Sequence, residues 1–288
     1  MPTAHATAAV ALTAADPVVM LALPHLVLAG RIGGPVGRER MAARHVLLAW
    51  RARRLVAGQV AAARAALARE LPRVALAAGR PIRVSPVLAD LVAAAIEAAR
   101  LTDGAVDPVI GTAVHRSRYA AAHPWLPACG SAVGVLDHPP HDWRDVHLDG
   151  SLLTVPPRVL LDLNATSPAR VADRCATSVA SRYEVGASIA IGGDVATAGP
   201  APPGGWPLHL LSPAGDAVRG GWPPRLGAGR ALGTSGAPLI EPRTGWPAER
   251  VRTVVTVEAR SCLVASTFAT ATAIRTDLTL PPDADFRP

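Results

Sequence analysis

The sequence contains no lysine, so all 29 lysine-or-arginine positions are arginine, and the formal net charge is +7. The arginines are scattered along the chain, and aromatic residues make up only 3% of it. Proteins that bind nucleic acids usually gather basic residues on one helix or arm and interleave them with aromatic side chains. The sequence therefore predicts no nucleic-acid partner, and the arginine excess keeps that class only as a distant alternative.

Cysteine is scarce as well. The three cysteines lie far apart and form no CxxC pair; they are Cys129, Cys175 and Cys262. This spacing predicts buried thiols and neither a disulfide framework nor a zinc knuckle. Three histidines crowd a segment rich in proline and glycine, at His138, His141 and His147. Their spacing matches no standard zinc site, so we interpret them as solvated loop residues.

No apolar run is long enough to cross a membrane. The longest, residues 18–30, is interrupted by Pro24 and His25 and is shorter than the roughly 20 residues of a spanning helix. No charged segment typical of a signal peptide precedes it, so we expect a cytoplasmic protein without a membrane span. We interpret residues 1–41 as a poorly ordered extension with one short helix at 17–29.

The rest of the chain reads as one domain over residues 42–278 with a short tail over 279–288. Ser85 and Pro86 predict the start of a helix that ends at Gly104, because serine is a common N-cap and proline suits the first turn. Other patterns predict a strand at 45–50, a helix at 51–70, a strand–turn–strand unit at 187–198, a strand at 251–258 and a small-residue helix at 262–275.

The stretch 158–180 organises the chain. An apolar strand through Asp162 is followed by a tight turn and a helix, with Ser167 as its predicted N-cap and Pro168 as its first helical residue. A strand that ends at a helix start delivers a carboxylate and free N–H groups to one place, which is a common way to hold a phosphate and its metal. We take this turn as the floor of a candidate active site; a plain packing unit is the alternative.

Two further acidic turns are candidates for the same site. Asp103 and Asp107 lie in the loop TDGAVDP, where acids also serve simply as turn formers. Asp194 follows Gly192 and Gly193 in a turn between two strands. We expect the Asp107 loop, the Asp162 turn and the Gly-Gly-Asp turn to converge.

Eight segments over roughly residues 45–275 occur in the order found in one family. They are ELPRVALAAGRPIRVSP, TDGAVDP, WRDVHLDG, LLDLNATSPARVADRCA, IGGDVATAGPAPPGGWP, LGTSG, IEPRTGWPA and ASTFATATA. In this order they resemble the ApbE family of FAD:protein FMN transferases, as a divergent member. The resemblance implies an α+β fold, ApbE-like and T-fold-like, with mixed sheets and packed helices.

The same resemblance implies protein flavinylation. In this reaction FMN passes from FAD to a Thr or Ser hydroxyl of an acceptor flavoprotein, Mg²⁺ assists, and AMP is released. Matched residue by residue, the family's flavin contacts fall on Ala105, Val106, Asp107, Asp162 and Ile240. Its metal ligands fall on Ala165, Ser266, Ala269 and Thr270. No residue is assigned a catalytic role.

Three departures fall on the implied site. The family usually has lysine where Pro168 stands, and Arg170 lies further along the helix. It usually has aspartate, or in some members asparagine, where Ser266 stands. Pro238 and Glu241 replace a histidine and an aspartate, and the connection between residues 236 and 238 is short. Without an anionic ligand on that helix, Mg²⁺ binding is expected to be weak.

The departures leave two readings of the activity open. One is the FMN transferase itself. The other is a degenerate, catalytically inactive relative that binds a flavin or another nucleotide. Covalent flavin on an acceptor protein distinguishes the two.

Overall fold

A computed structural model describes residues 18–23, 26–31, 43–115, 142–208, 225–236, 238–248, 254–275, 278–282 and 284–287. Four helices have both ends within these residues: α1 (Ala43–Ala77), α2 (Pro86–Leu101), α3 (Ser167–Tyr183) and α4 (Cys262–Ile274). The strands are β1 (Val18–Leu23), β2 (Leu26–Arg31), β3 (Ile82–Arg83), β4 (His147–Asp149), β5 (Leu152–Thr154), β6 (Gly186–Ile191), β7 (Asp194–Ala198), β8 (Trp206–Pro207), β9 (Arg225–Leu226), β10 (Ala231–Ser235), β11 (Ile240–Glu241), β12 (Trp246–Pro247), β13 (Val255–Ala259) and β14 (Asp285–Arg287).

The main sheet has seven antiparallel strands in the order β14-β13-β10-β7-β6-β1-β2. Helices α3 and α4 pack against each other and on the same sheet, α3 on β6 and β7, and α4 on β10 and β13. Helices α1 and α2 pack on α3. Met20 on β1 and Val195 on β7 pack against the buried side chain of Trp206. This arrangement of helices and antiparallel sheets confirms the predicted α+β class.

Local signals explain the helices that the sequence predicted. The Ser85 hydroxyl caps α2 by accepting a hydrogen bond from the Leu88 N–H at 3.2 Å. The apolar stripe of α3, with Val171, Cys175 and Val179, is buried. Helix α4 is built almost entirely of small buried residues, which lets its backbone approach the sheet closely. The strand–turn–strand unit at 187–198 is confirmed as β6 and β7.

The helix predicted at residues 17–29 is wrong, because strands β1 and β2 form a hairpin there. Strand β1 also pairs with β6, so this part of the predicted extension joins the main sheet. Val19 and Leu21 are buried at alternate positions, which is the period of a strand. A short apolar run does not by itself distinguish the two structures. The domain boundaries stay a prediction.

The strand predicted at residues 45–50 is also wrong, because helix α1 already covers them. Trp50 is 52% exposed, whereas Ala49, Ala52 and Val56 are buried. This spacing of three to four residues is that of a helix. It is not visible in HVLLAW, because nearly all residues of that segment are apolar.

The apolar stretch before Asp162 forms no strand. Its partner is the one-turn helix Pro108–Ile110 and the residue after it, so it makes isolated backbone hydrogen bonds and joins no ladder. The interpretation of this stretch as a sheet strand is therefore corrected.

Cys175 and Cys262 are buried free thiols, as predicted. His147 opens strand β4 with an exposed side chain. His138, His141 and Cys129 lie outside the described residues. In the described part of the chain, no group of three or more His, Cys, Asp or Glu side chains forms a metal cluster, and no helix is long and apolar enough to cross a membrane.

Candidate functional site

The Asp107 loop is held by its own side chains. The Thr102 hydroxyl accepts a hydrogen bond from the Val106 N–H at 3.1 Å, which closes the end of α2. The Asp107 carboxylate accepts from the N–H of Val109 at 2.8 Å and from the N–H of Trp143 at 3.3 Å. Asp107 is 8% exposed. Its carboxylate therefore shapes this loop and ties it to the segment around Trp143.

The Asp107 loop and the Asp162 segment are adjacent, as the sequence predicted. The Asp162 N–H donates to the Pro108 carbonyl at 2.8 Å, and the Gly111 N–H donates to the Leu160 carbonyl at 3.0 Å. The Asp162 carboxylate accepts from the Asn164 N–H at 2.8 Å, so it shapes the turn that follows.

Replacing Gly111 with alanine is expected to weaken this junction. A Cβ at position 111 would overlap the backbone carbonyl of Leu160, which has no freedom to move aside. We expect Gly111→Ala to lower the free energy of unfolding by about 2 kcal/mol or more, the range of an overpacked core. Gly58→Ala is the control, because a Cβ there meets nothing within 4 Å and should be neutral or stabilising. Urea unfolding measures both; equal stabilities for the two variants would contradict the close approach.

The start of helix α3 differs from the prediction by one residue. Thr166 is the N-cap, and it makes no side-chain capping hydrogen bond. Thr166 and Ser167 both donate their N–H groups to the Leu163 carbonyl, and Pro168 has none to offer. The helix start therefore presents fewer free donors to an anion than the sequence suggested.

Arg170 does not take the place of the lysine that the family has at position 168. Its guanidinium donates through Nε and NH2 to the Asp90 carboxylate, and Arg174 donates to the same group at 3.1 Å. Burial alone would raise the pKa of Asp90, but the hydrogen bonds and charges of the two arginines lower it. The hydrogen bonds to Asp90 likewise raise the pKa of Arg170. Both arginines are committed to α2.

The predicted metal residues lie where α4 crosses strand β10. A Cβ on Gly233 would overlap the backbone of Ser266, so strand and helix touch at this point. The Ser266 hydroxyl lies 3.5 Å from the carbonyl oxygen of Ala165. Ala269 and Thr270 are buried one turn further along α4. The structure thus brings the turn before α3 to the helix that carries the other three residues.

The predicted flavin residues reach the same helix. Ala105 and Val106 are buried in one cluster with Ala98 and Ala271, and Ala165 packs against that cluster. Ala271 follows Thr270 directly, so the Asp107 loop lies beside the predicted metal residues.

The residue before strand β11 approaches α4 around Phe268. Leu239, which precedes Ile240, packs against the cluster that contains Phe268 and Ala269. Glu241 shapes the turn that follows, where its carbonyl accepts the Gly245 N–H at 2.8 Å. All predicted site residues therefore lie on segments that contact α4 or contact one another; their roles stay predictions.

Asp194 lies at the centre of this arrangement. It opens β7, and because Leu232 pairs with Val195, Gly233 is its neighbour on β10. The Asp194 carboxylate accepts a long hydrogen bond from the Thr234 N–H at 3.4 Å. Burial, with a smaller contribution from the charge of Asp173, raises its pKa to about 7 against the hydrogen bonds from Ser266 and Thr234. The third predicted turn therefore converges with the other two through Ser266.

The pKa of Asp194 predicts a pH-dependent stability for the metal-free protein. The folded state holds this proton up to about pH 7, whereas the unfolded state releases it near 3.8. The contribution of this proton to the free energy of unfolding is therefore fully present below pH 3.8. It is lost as the pH rises towards 7, by up to about 1.4 kcal/mol per pH unit. Asp194→Asn should flatten this slope. Chemical unfolding in metal-free buffer between pH 4 and 8 measures it, and identical slopes in both proteins would contradict the buried carboxyl.

A cavity of about 440 Å³ lies between α2 and the small sheet of β3, β4 and β5. Its lining includes Arg100, Trp143, Arg144 and His147. The Arg144 guanidinium stacks on the Trp143 ring and pairs with Asp103 and Asp142. No predicted flavin or metal residue lines this cavity.

The donor set beside α4 suits a hard divalent cation. It consists of oxygen atoms only: the Ala165 carbonyl, the hydroxyls of Ser266 and Thr270, and the Asp194 carboxylate within hydrogen-bonding reach of Ser266. Mg²⁺ prefers oxygen ligands, takes few from the protein and keeps water or phosphate oxygens in the remaining positions. The residues present therefore fit Mg²⁺.

Sequence reasoning placed Asp194 in a turn but missed its contact with Ser266. It also gave no site role to Ser167 and Ser235, whose buried hydroxyls have no hydrogen-bond partner among the described residues. The Gly-Gly-Asp and Thr-Ser-Gly turns were visible signals, but their proximity follows from the register of β7 against β10.

The fold is shared with solved structures of other proteins. The Pseudomonas stutzeri flavinyl transferase ApbE in its apo form is 20% identical, with a TM-score of 0.61 over 90% of this chain and 84% of that one. The Thermotoga maritima ApbE protein is 17% identical, with a TM-score of 0.60 over 90% and 87%. The Vibrio cholerae flavin transferase ApbE is 20% identical, with a TM-score of 0.58 over 90% and 87%. No match was found among curated protein sequences.

At these identities the solved structures establish the fold. A sequence model of the ApbE family matches residues 61–277, which is most of the chain. The match includes α2, the Asp107 loop, the turn before α3 and helix α4. The resemblance seen in the sequence is confirmed, and the chain belongs to the ApbE family.

Proposed function

We propose that this protein is an FAD:protein FMN transferase. It takes FAD as its donor substrate and a Thr or Ser hydroxyl of an acceptor flavoprotein as its acceptor, and Mg²⁺ assists. One observation carries the proposal: in a chain of the ApbE family, the Asp107 loop, the Asp162 turn and the β7 turn converge on α4. The two named flavin transferases with this fold add support.

The reaction is a displacement at phosphorus. The acceptor hydroxyl oxygen forms a bond to the phosphorus of the FMN half of FAD, and the bond from that phosphorus to the bridging oxygen breaks. AMP leaves with the bridging oxygen, and the hydroxyl proton passes to solvent or to a nearby base. Bound Mg²⁺ would neutralise the phosphate charge as it shifts to the leaving group.

The residues of the chain then act by positioning. Ala105, Val106 and Asp107 form a wall beside α4 for the flavin, and Asp162 adds a carboxylate from the adjoining turn. The Ala165 and Ala269 carbonyls and the Ser266 and Thr270 hydroxyls would hold the metal, and Ile240 offers backbone to the nucleotide. Pre-positioned groups in a water-poor site stabilise developing charge more than the same groups do in water.

The degenerate alternative rests on a specific observation. Position 168 supplies no cation, and Arg170 is held by Asp90. A site with one cation fewer would still bind a flavin nucleotide but would transfer FMN slowly or not at all.

An in-gel assay separates the two readings. The protein is incubated with FAD, Mg²⁺ and a candidate acceptor, and the denaturing gel is inspected for flavin fluorescence. The transferase predicts a fluorescent acceptor band that disappears with EDTA or when the acceptor Thr or Ser is replaced by alanine. FAD binding without such a band, across acceptors that a related transferase modifies, would favour the inactive relative.

A further inference from the structure

The Asp194 carboxylate is buried with too few partners for a negative charge. It is 7% exposed, and its two hydrogen bonds come from the Thr234 N–H, at 3.4 Å, and from the Ser266 hydroxyl. Buried carboxylates normally require several good donors or a cation. A 3.4 Å contact is long for an N–H donor.

The Ser266 hydroxyl cannot satisfy both of its neighbours. It has one proton, and two acceptors lie within its reach: the Ala165 carbonyl, at 3.5 Å, and the Asp194 carboxylate. When Asp194 is ionised, whichever acceptor receives this proton leaves the other short of a donor. A cation bound between the Ala165 carbonyl and the Asp194 carboxylate would satisfy both oxygen atoms.

The surrounding charges do not supply that cation. The charged group of the described chain that acts on Asp194 is Asp173, which repels it. Asp173 is itself occupied, because its carboxylate accepts the N–H groups of Cys262 and Leu263 at 2.8 and 3.0 Å and so caps α4. The buried Cys262 thiol stays neutral, because burial raises its pKa well above the usual value, so it adds no charge to the site.

We propose that Asp194 supplies the anionic group of the divalent-cation site in this protein. It does so from the start of β7, in place of the side chain that the family carries on α4 where Ser266 stands here. The inference rests on the proposed function for the identity of the site. The negative charge of the site would then come from the strand next to the helix, and Ser266 links the two positions.

Metal binding tests this without any transfer reaction. Mn²⁺ is titrated into the full-length protein, with and without FAD, and free Mn²⁺ is followed by electron paramagnetic resonance. We expect Asp194→Asn to raise the Kd for Mn²⁺ at least tenfold. Adding Ser266→Asp to that variant should restore binding, because it returns a carboxylate to the same place from the helix side.

Asp173→Asn is the matched control, since it also changes a buried acid that contacts α4. It should lower thermal stability through loss of the helix cap and leave the Kd for Mn²⁺ within about twofold.

Each outcome decides the proposal. Unchanged Mn²⁺ affinity in Asp194→Asn, or failure of Ser266→Asp to restore it, would overturn the role of Asp194. A wild-type protein that binds no Mn²⁺ with or without FAD would overturn it together with the metal dependence of the proposed function. If the Mn²⁺ affinities change as expected but no FMN is transferred, this inference holds and the proposed transferase function is wrong.

Discussion

Gly233→Ala is expected to produce a large loss of stability. A Cβ at position 233 would overlap the backbone nitrogen and Cα of Ser266 and the backbone carbon of Ala265. Backbone atoms of a packed helix cannot rotate away, so α4 must lift from β10. We expect the free energy of unfolding to fall by about 3 kcal/mol or more. The displacement should also weaken Mn²⁺ binding, because it separates Ser266 from Ala165 and Asp194.

Gly227→Ala is the control for this change. Gly227 precedes the same strand, but a Cβ there comes only to 3.4 Å from the Arg230 side chain. It should alter stability by less than about 0.5 kcal/mol. Guanidinium unfolding of both variants, followed by circular dichroism, gives the comparison. A Gly233→Ala protein as stable as the wild type would show that α4 lies further from the sheet than described.

Pro168→Lys is expected to raise the rate of FMN transfer about tenfold or more. The substitution returns a cation to the first turn of α3, where the family usually has lysine. A group that stabilises phosphate charge in the transition state commonly contributes factors of this size or larger. Proline is not required there for folding, because a residue in the first turn of a helix has no obligatory helical N–H partner. Initial rates of AMP release at saturating FAD and acceptor measure the effect.

Arg170→Gln tests whether Arg170 already supplies the cation that is missing at position 168. Since Arg170 is bound to Asp90, its loss should leave the transfer rate unchanged, at a small cost in stability. A Pro168→Lys protein with the wild-type rate, combined with a slow Arg170→Gln protein, would identify Arg170 as the phosphate-side cation after all.

Some parts of the fold could be predicted because short-range signals determine them. The Ser85-Pro86 start of α2, the glycine turn between β6 and β7, and the run of small residues in α4 each act within a few residues. The N-terminal hairpin and the first turns of α1 could not be predicted in the same way. Their apolar runs suit a strand or a helix equally well. For the hairpin, the pairing of β1 with β6 decides in favour of a strand.

The candidate site shows the same division. The sequence predicted that the Asp107 loop and the Asp162 turn would meet, and Pro108 and Gly111 explain the contact. The proximity of Asp194 to Ser266 follows from strand register and from the glycine at position 233. Neither the strand register nor the close approach at Gly233 can be predicted from a short stretch of sequence.

The central claim is that FAD and its metal bind beside α4, where the three turns converge. A crystal structure of the protein with FAD and Mn²⁺, with data collected for anomalous scattering from manganese, tests it most directly. We predict a manganese peak next to the Ala165 carbonyl and the Ser266 and Thr270 hydroxyls, with the FAD pyrophosphate beside it and the flavin against Ala105 and Val106. FAD seated in the cavity lined by Trp143 and His147, with no manganese beside α4, would contradict the account.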